Sequence, residues 1–80
     1  MEEGGKQSEE SFPNEDELAQ LAAAVDSRLQ GKVRGLRLLA RGHGLVLQGQ
    51  TQCYYLKQLA QHSVMQVTRL RILANEIEVP

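Results

Sequence analysis

Eighty residues, 41% of them hydrophobic and 24% charged, allow one small domain with a core that is marginal at this size. The single cysteine, Cys53, excludes an intramolecular disulfide and a cysteine-based zinc site. The longest apolar run, Leu21 to Val25, is far short of the ~18 residues of a membrane-spanning helix.

The net charge of −1 is divided unevenly along the chain. Residues 1–17 hold seven acids against Lys6, a balance of −6, whereas residues 18–80 hold eight Lys or Arg against Asp26, Glu76 and Glu78, a balance of +5. Residues 1–13 are mostly Glu, Gly, Ser and Gln, with Phe12 as the only large apolar side chain after Met1. They cannot bury enough surface to offset their ordering entropy and are expected to be a disordered acidic tail. Met1-Glu2-Glu3 is unlike the basic start of a signal peptide and no apolar segment follows, so a cytoplasmic location is expected.

The folded body is expected over 14–80. Asn14 followed by Glu17 is a capping-box pattern, and Glu15, Asp16 and Glu17 sit where the helix dipole favours negative charge. Leu18, Leu21, Ala22, Val25 and Leu29 then share one stripe of a helix over about 15–30, which Gly31 ends. From Val33 the period changes to two. Leu36, Leu38 and Ala40 alternate with Arg37, Leu39 and Arg41, and Gly42-His43-Gly44 turns the chain into a second strand through Leu45, Val46 and Leu47. A second helix over about 52–67 is capped by Thr51, with Cys53, Leu56, Leu59, Ala60, Val64 and Val67 on its inner face. A last strand covers about 71–79, with Leu73, Asn75, Ile77 and Val79 assigned to the core.

The order α-β-β-α-β predicts an α+β domain. The second hairpin strand, the second helix and the last strand form a crossover, so those two strands run parallel. The simplest sheet is then three-stranded and mixed, of order 2-1-3, with both helices packed on one face.

Over roughly 18–79 the sequence resembles the BON domain, named for bacterial osmotically inducible and nodulation proteins. The resemblance rests on three pieces in order: Leu45, Leu47 and Gly49 closing the hairpin, the helix Tyr54-Tyr55-Leu56-Lys57-Gln58-Leu59-Ala60, and Leu70, Leu73, Asn75, Ile77 and Val79 at the end. Arg69 stands where that family usually has glycine. The resemblance implies a binding module associated with phospholipid or envelope surfaces.

The residues themselves offer little for catalysis. Cys53 and His62 lie nine residues apart on one helix, about 180° around it, so the pair cannot meet. His43 falls in a turn, and neither histidine has partners at metal spacing. No enzyme, cofactor, metal or small-molecule substrate is expected. Arg28, Lys32, Arg34, Arg37, Arg41, Arg69 and Arg71 make the body basic, but the strands carry no aromatic residues for base stacking, so nucleic acid is not expected as a partner.

The favoured expectation is protein association, with a partner protein or as a homodimer, through the sheet face opposite the helices. Arg37, Leu39, Arg41, Val46 and Ile72 are its contact residues, with Gln48 and Ala74 beside them. A secondary surface is the helical row Tyr54, Gln58, Gln61 and Met65. The alternative is peripheral binding to anionic phospholipid through Lys32, Arg34, Arg37 and Arg41.

Overall fold

A computed structural model describes residues 13–80, so residues 1–12 of the expected disordered tail 1–13 lie outside the described residues. The elements are α1 (Glu15–Arg28), β1 (Arg34–Arg41), β2 (Gly44–Gln50), α2 (Tyr54–Val67) and β3 (Arg71–Asn75). The α-β-β-α-β order, the mixed three-stranded sheet and the α+β class are as the periodicities predict.

Local chemistry sets the boundaries of α1. The Asn14 side chain accepts from the Glu17 backbone at 2.8 Å, and the Glu17 carboxylate accepts from the Asn14 N–H at 2.9 Å. Two otherwise unsatisfied donors of the first turn are thereby paired. Leu29 is the C-cap, and both Gln30 and Gly31 take left-handed backbone before the chain turns into β1. The start of α2 differs from expectation. Cys53, not Thr51, is its N-cap, and Cys53 is exposed rather than part of the core. Thr51 is buried, its hydroxyl donating to the Lys32 carbonyl at 3.2 Å. The buried positions of α2 are Ala60, Ser63 and Val64.

β1 and β2 form a hairpin around a two-residue turn, Gly42-His43, with Arg41 paired to Gly44. Only Gly42 has positive φ, at 60°, which matches a turn needing that geometry at its first central position and explains why glycine stands there.

The strand order is β1-β2-β3, so β2 is central and the expected order 2-1-3 is corrected. β2 pairs antiparallel with β1 and parallel with β3. The reason lies in burial. Leu45, Val46 and Leu47 are all fully buried, an unbroken apolar run that suits a strand flanked on both sides. β1, with Arg34, Arg37 and Arg41, has the charged character of an edge strand.

Both helices lie on one face. Leu18, Val25 and Leu29 of α1, Leu38 of β1, Leu45 and Leu47 of β2, Ala60 and Val64 of α2, and Ile77 form one core cluster. Arg28 donates to Gln66 at 2.9 Å, linking the two helices at the surface. The Asn75 amide joins β3 to α2, donating to the Lys57 carbonyl at 2.9 Å and to Gln61 Oε1 at 3.3 Å. Its Oδ1 accepts from the Ile77 N–H at 3.2 Å.

β3 contains an irregularity that decides which side chains face where. Leu45 is opposite Ile72, but Val46 is opposite Ala74, so Leu73 is an extra residue in the ladder. The shift puts Ile72 against the helix-side core, while Leu73 turns to the reverse face and lies over Gly44. Two expectations are thereby corrected: Ile72 is not on the face opposite the helices, and Leu73 is not in the core. A Cβ on Gly44 would collide with the Leu73 side chain and approach the Arg71 carbonyl oxygen at 2.8 Å. Gly44→Ala is therefore expected to destabilise the fold by about 1–3 kcal/mol. Urea denaturation measures this; a variant as stable as wild type would contradict the close approach.

Candidate interaction face

The face of the sheet away from the helices is built in cross-strand rows. Arg34 of β1 is paired with Gln50 of β2, which bridges to Glu78. Arg37 is paired with Gln48, whose amide donates to Glu76 at 3.1 Å. Leu39 is paired with Val46 and Val46 with Ala74. At the hairpin end Arg41 and Arg71 flank Gly44. Side chains alternate along each strand, and an irregularity between Arg34 and Arg37 returns Arg34 to the side of Arg37, so these residues share the reverse face. Across its width, the face runs from arginine on β1 through glutamine on β2 to glutamate beyond β3.

Backbone bonds hold the acidic column in register after β3 ends. The Glu76 N–H donates to the Leu47 carbonyl at 2.8 Å, and the Glu78 N–H to the Gly49 carbonyl at 2.9 Å. Gln50 donates to Glu78 Oε1 at 3.3 Å. Arg41 donates to Glu76 at 3.4 Å, and both side chains of this ion pair remain well exposed. Arg41 starts from the Gly44 row and Glu76 from the Gln48 row, so the pair spans β2 diagonally at the level of Val46. The Glu76 carboxyl is held below the usual carboxylate range, first by the hydrogen bond from Gln48. Partial desolvation acts in the opposite direction, and the charge and hydrogen bond of Arg41 lower it further.

The expected contact residues therefore divide. Arg37 and Arg41 are exposed on this face, and Leu39 is half-buried. Val46 is on the face but already fully buried within the chain, so it is not available to a partner. Ile72 belongs to the opposite side. The apolar surface offered to solvent is Leu39, half-buried Ala74 and Leu73, which is 47% exposed. Leu73 was not legible as a face residue, because the extra residue in β3 leaves no local signal. Lys32 and Arg34 are exposed near one end of the face.

The secondary row on α2 is also only partly assembled. Tyr54 and Met65 are 61% and 60% exposed, and Gln58 is exposed. Gln61 is half-buried and engaged by Asn75. A shallow depression of about 420 Å³ on this helix is bordered by Tyr55, Leu59, His62 and Met65 together with Gln58 and Gln61, but not by Tyr54. A larger groove, about 770 Å³, lies between α1 and the outer side of β1, where Ala19, Ala22 and Ala23 stand across from Leu36 and Leu38. Among the described residues no helix is long and apolar enough to cross a membrane.

No family model matches the chain, and neither the curated proteins nor the solved structures include one that matches it.

Proposed function

We propose that this chain is a non-catalytic binding module that associates with protein through the reverse face of its sheet. The observation that supports the reading best is the apolar group Leu39, Leu73 and Ala74 on a face over which no other described helix or strand lies. A sheet face left to water is ordinarily polar. Burying a fully exposed leucine is worth about 1.5–3 kcal/mol, and Leu39 and Leu73, each already partly covered, gain a fraction of that when a partner covers them.

Peripheral binding to anionic phospholipid, which the BON resemblance implies, is the second reading. It is supported by exposed Lys32, Arg34, Arg37 and Arg41, and it is weakened by Glu76 and Glu78 on the same face. A membrane-binding surface gains about 1 kcal/mol per basic residue near anionic lipid, and interspersed carboxylates oppose that gain.

Affinity capture from the cells that express the chain tests the first reading. Wild type and Tyr55→Ala are expected to retain the same partner, and Leu39→Glu and Leu73→Glu to lose it while keeping a native circular dichroism spectrum. Retention by both sheet variants would overturn the reading. Cosedimentation with phosphatidylserine vesicles separates the second: salt-sensitive pelleting that Leu39→Glu leaves unchanged would favour lipid.

A further inference from the structure

The charge pattern of the reverse face identifies what fits on it. Its β1 column holds Arg34, Arg37 and Arg41, and its opposite column holds Glu76 and Glu78, with Arg71 at the hairpin end. Over its Arg34 and Arg37 rows such a surface is complementary to itself in one orientation. When two copies meet face to face about a two-fold axis parallel to the strands, the β1 column of each copy lies over the acidic column of the other. The rows stay level. Arg37 then meets Glu76 of the second copy, Arg34 meets Glu78, and Leu39 meets Ala74. The other in-plane axis, perpendicular to the strands, stacks β1 on β1 and sets three arginines against three. Like charges so placed are strongly unfavourable.

We propose that a second copy of this chain covers the reverse face, the two sheets packing face to face about a two-fold axis parallel to their strands. This rests on the reading of that face as a protein-binding surface and names its occupant. The geometry is that of two aligned sheets. The Arg41–Glu76 pair within each chain is exposed, and exposed pairs contribute little to stability, so Glu76 can exchange Arg41 for Arg37 of the second copy at small cost. At the hairpin end the same axis brings Arg41 of each copy over Arg71 of the other, a like-charge pair that stays at the solvent rim, where water and salt screen it, and that limits the affinity. Three strands spaced about 4.8 Å apart, over rows spanning about 20 Å, give a footprint of roughly 300 Å². A standard interface buries about 800 Å² per partner, so this dimer is weak and forms at high concentration.

Sedimentation equilibrium of the full chain from about 20 μM to about 1 mM tests the proposal at concentrations where weak interfaces assemble. The weight-average mass is expected to rise from one chain toward two. Arg37→Glu alone and Glu76→Arg alone are each expected to weaken association by about 10-fold or more, and the two changes in one chain to restore it to within about 3-fold. Circular dichroism verifies that each variant is folded. A wild type that stays monomeric throughout would overturn self-association, while the capture experiment separately decides whether the face binds another protein. A dimer insensitive to Leu39→Glu and Leu73→Glu would place the contact elsewhere and overturn the proposal. A dimer sensitive to Leu39→Glu but not restored by the double charge exchange would overturn the strand-parallel axis.

Discussion

Leu47→Ala is expected to lower the unfolding free energy by about 3–5 kcal/mol, the range for truncating a fully buried leucine that its surroundings cannot replace. Leu47 is fully buried, paired with Leu38 across the hairpin and packed in the cluster that joins both helices to the sheet. It also lies on the central strand, whose backbone is fixed on both sides, so neighbouring residues have little freedom to collapse into the cavity. A domain of this length has a total stability of about 4–12 kcal/mol. The substitution therefore consumes a large share of it, and the variant is expected to melt well below wild type. Leu36→Ala, at a half-buried edge-strand position, should cost clearly less. Urea denaturation followed by circular dichroism measures both. Equal costs for the two, or a Leu47→Ala cost below about 1 kcal/mol, would contradict the placement of β2 at the centre.

Asn75→Leu is expected to cost about 2–3 kcal/mol although the replacement has nearly the same volume. The amide of Asn75 supplies the donors for the Lys57 carbonyl and Gln61 Oε1 and the acceptor for the Ile77 N–H. Leucine removes all three bonds and leaves partly buried polar atoms without their partners, a larger penalty than the loss of a single solvated hydrogen bond. Asn75→Asp is the informative companion. At pH 7 its carboxylate keeps the acceptor for Ile77 but faces the Lys57 carbonyl and Gln61 Oε1 with negative charge and no donor. The ionised form is disfavoured in the folded state, which raises the folded pKa of the introduced group above the unfolded value of about 3.9. Its destabilisation is therefore smallest at acid pH, where the protonated carboxyl can donate, and grows as pH rises through the folded pKa. Denaturation at pH 4 and pH 7, each referenced to wild type at the same pH, reads this difference. A penalty independent of pH would mean that the side chain does not face these acceptors.

Much of the chain's organisation is legible because it is written over short spans. The capping box at Asn14 and Glu17 involves residues three apart and forms as expected. Glycine at position 42 and the change of period from 3.6 to 2 after Val33 identify the hairpin, and the intervening helix makes β2 and β3 parallel. Position 51 shows the limit of such rules. Thr51 has a good capping side chain, but its hydroxyl is taken by the Lys32 carbonyl across the fold, and Cys53 is left as the helix cap without a side-chain bond. A tertiary partner outcompetes a local preference of about 1 kcal/mol.

The face opposite the helices was legible in part. Arg37, Leu39 and Arg41 alternate away from the core as their period requires. The period of two puts Ile72 on the wrong side because β3 carries an apolar residue at each of positions 72, 73 and 74, and an apolar run has no parity of its own. The reverse face consequently gains Leu73 in place of Ile72, and its acidic column is fixed by pairing with Gln48 and Gln50 on another strand.

From its amino acids alone this protein determines the kind and order of its elements, the start of α1 and the hairpin turn. These depend on contacts a few residues apart, where backbone sterics, capping bonds and hydrophobic period act without the rest of the fold. Only the tertiary structure decides that β2 is central, that Leu73 is the extra residue in β3, and that arginine and glutamate line opposite sides of one face. Those features arise from pairing between β2 and β3, whose partners are some 27 residues apart. Register across such a distance is chosen by burying Leu45, Val46 and Leu47 together, a collective energy that no short stretch of sequence contains.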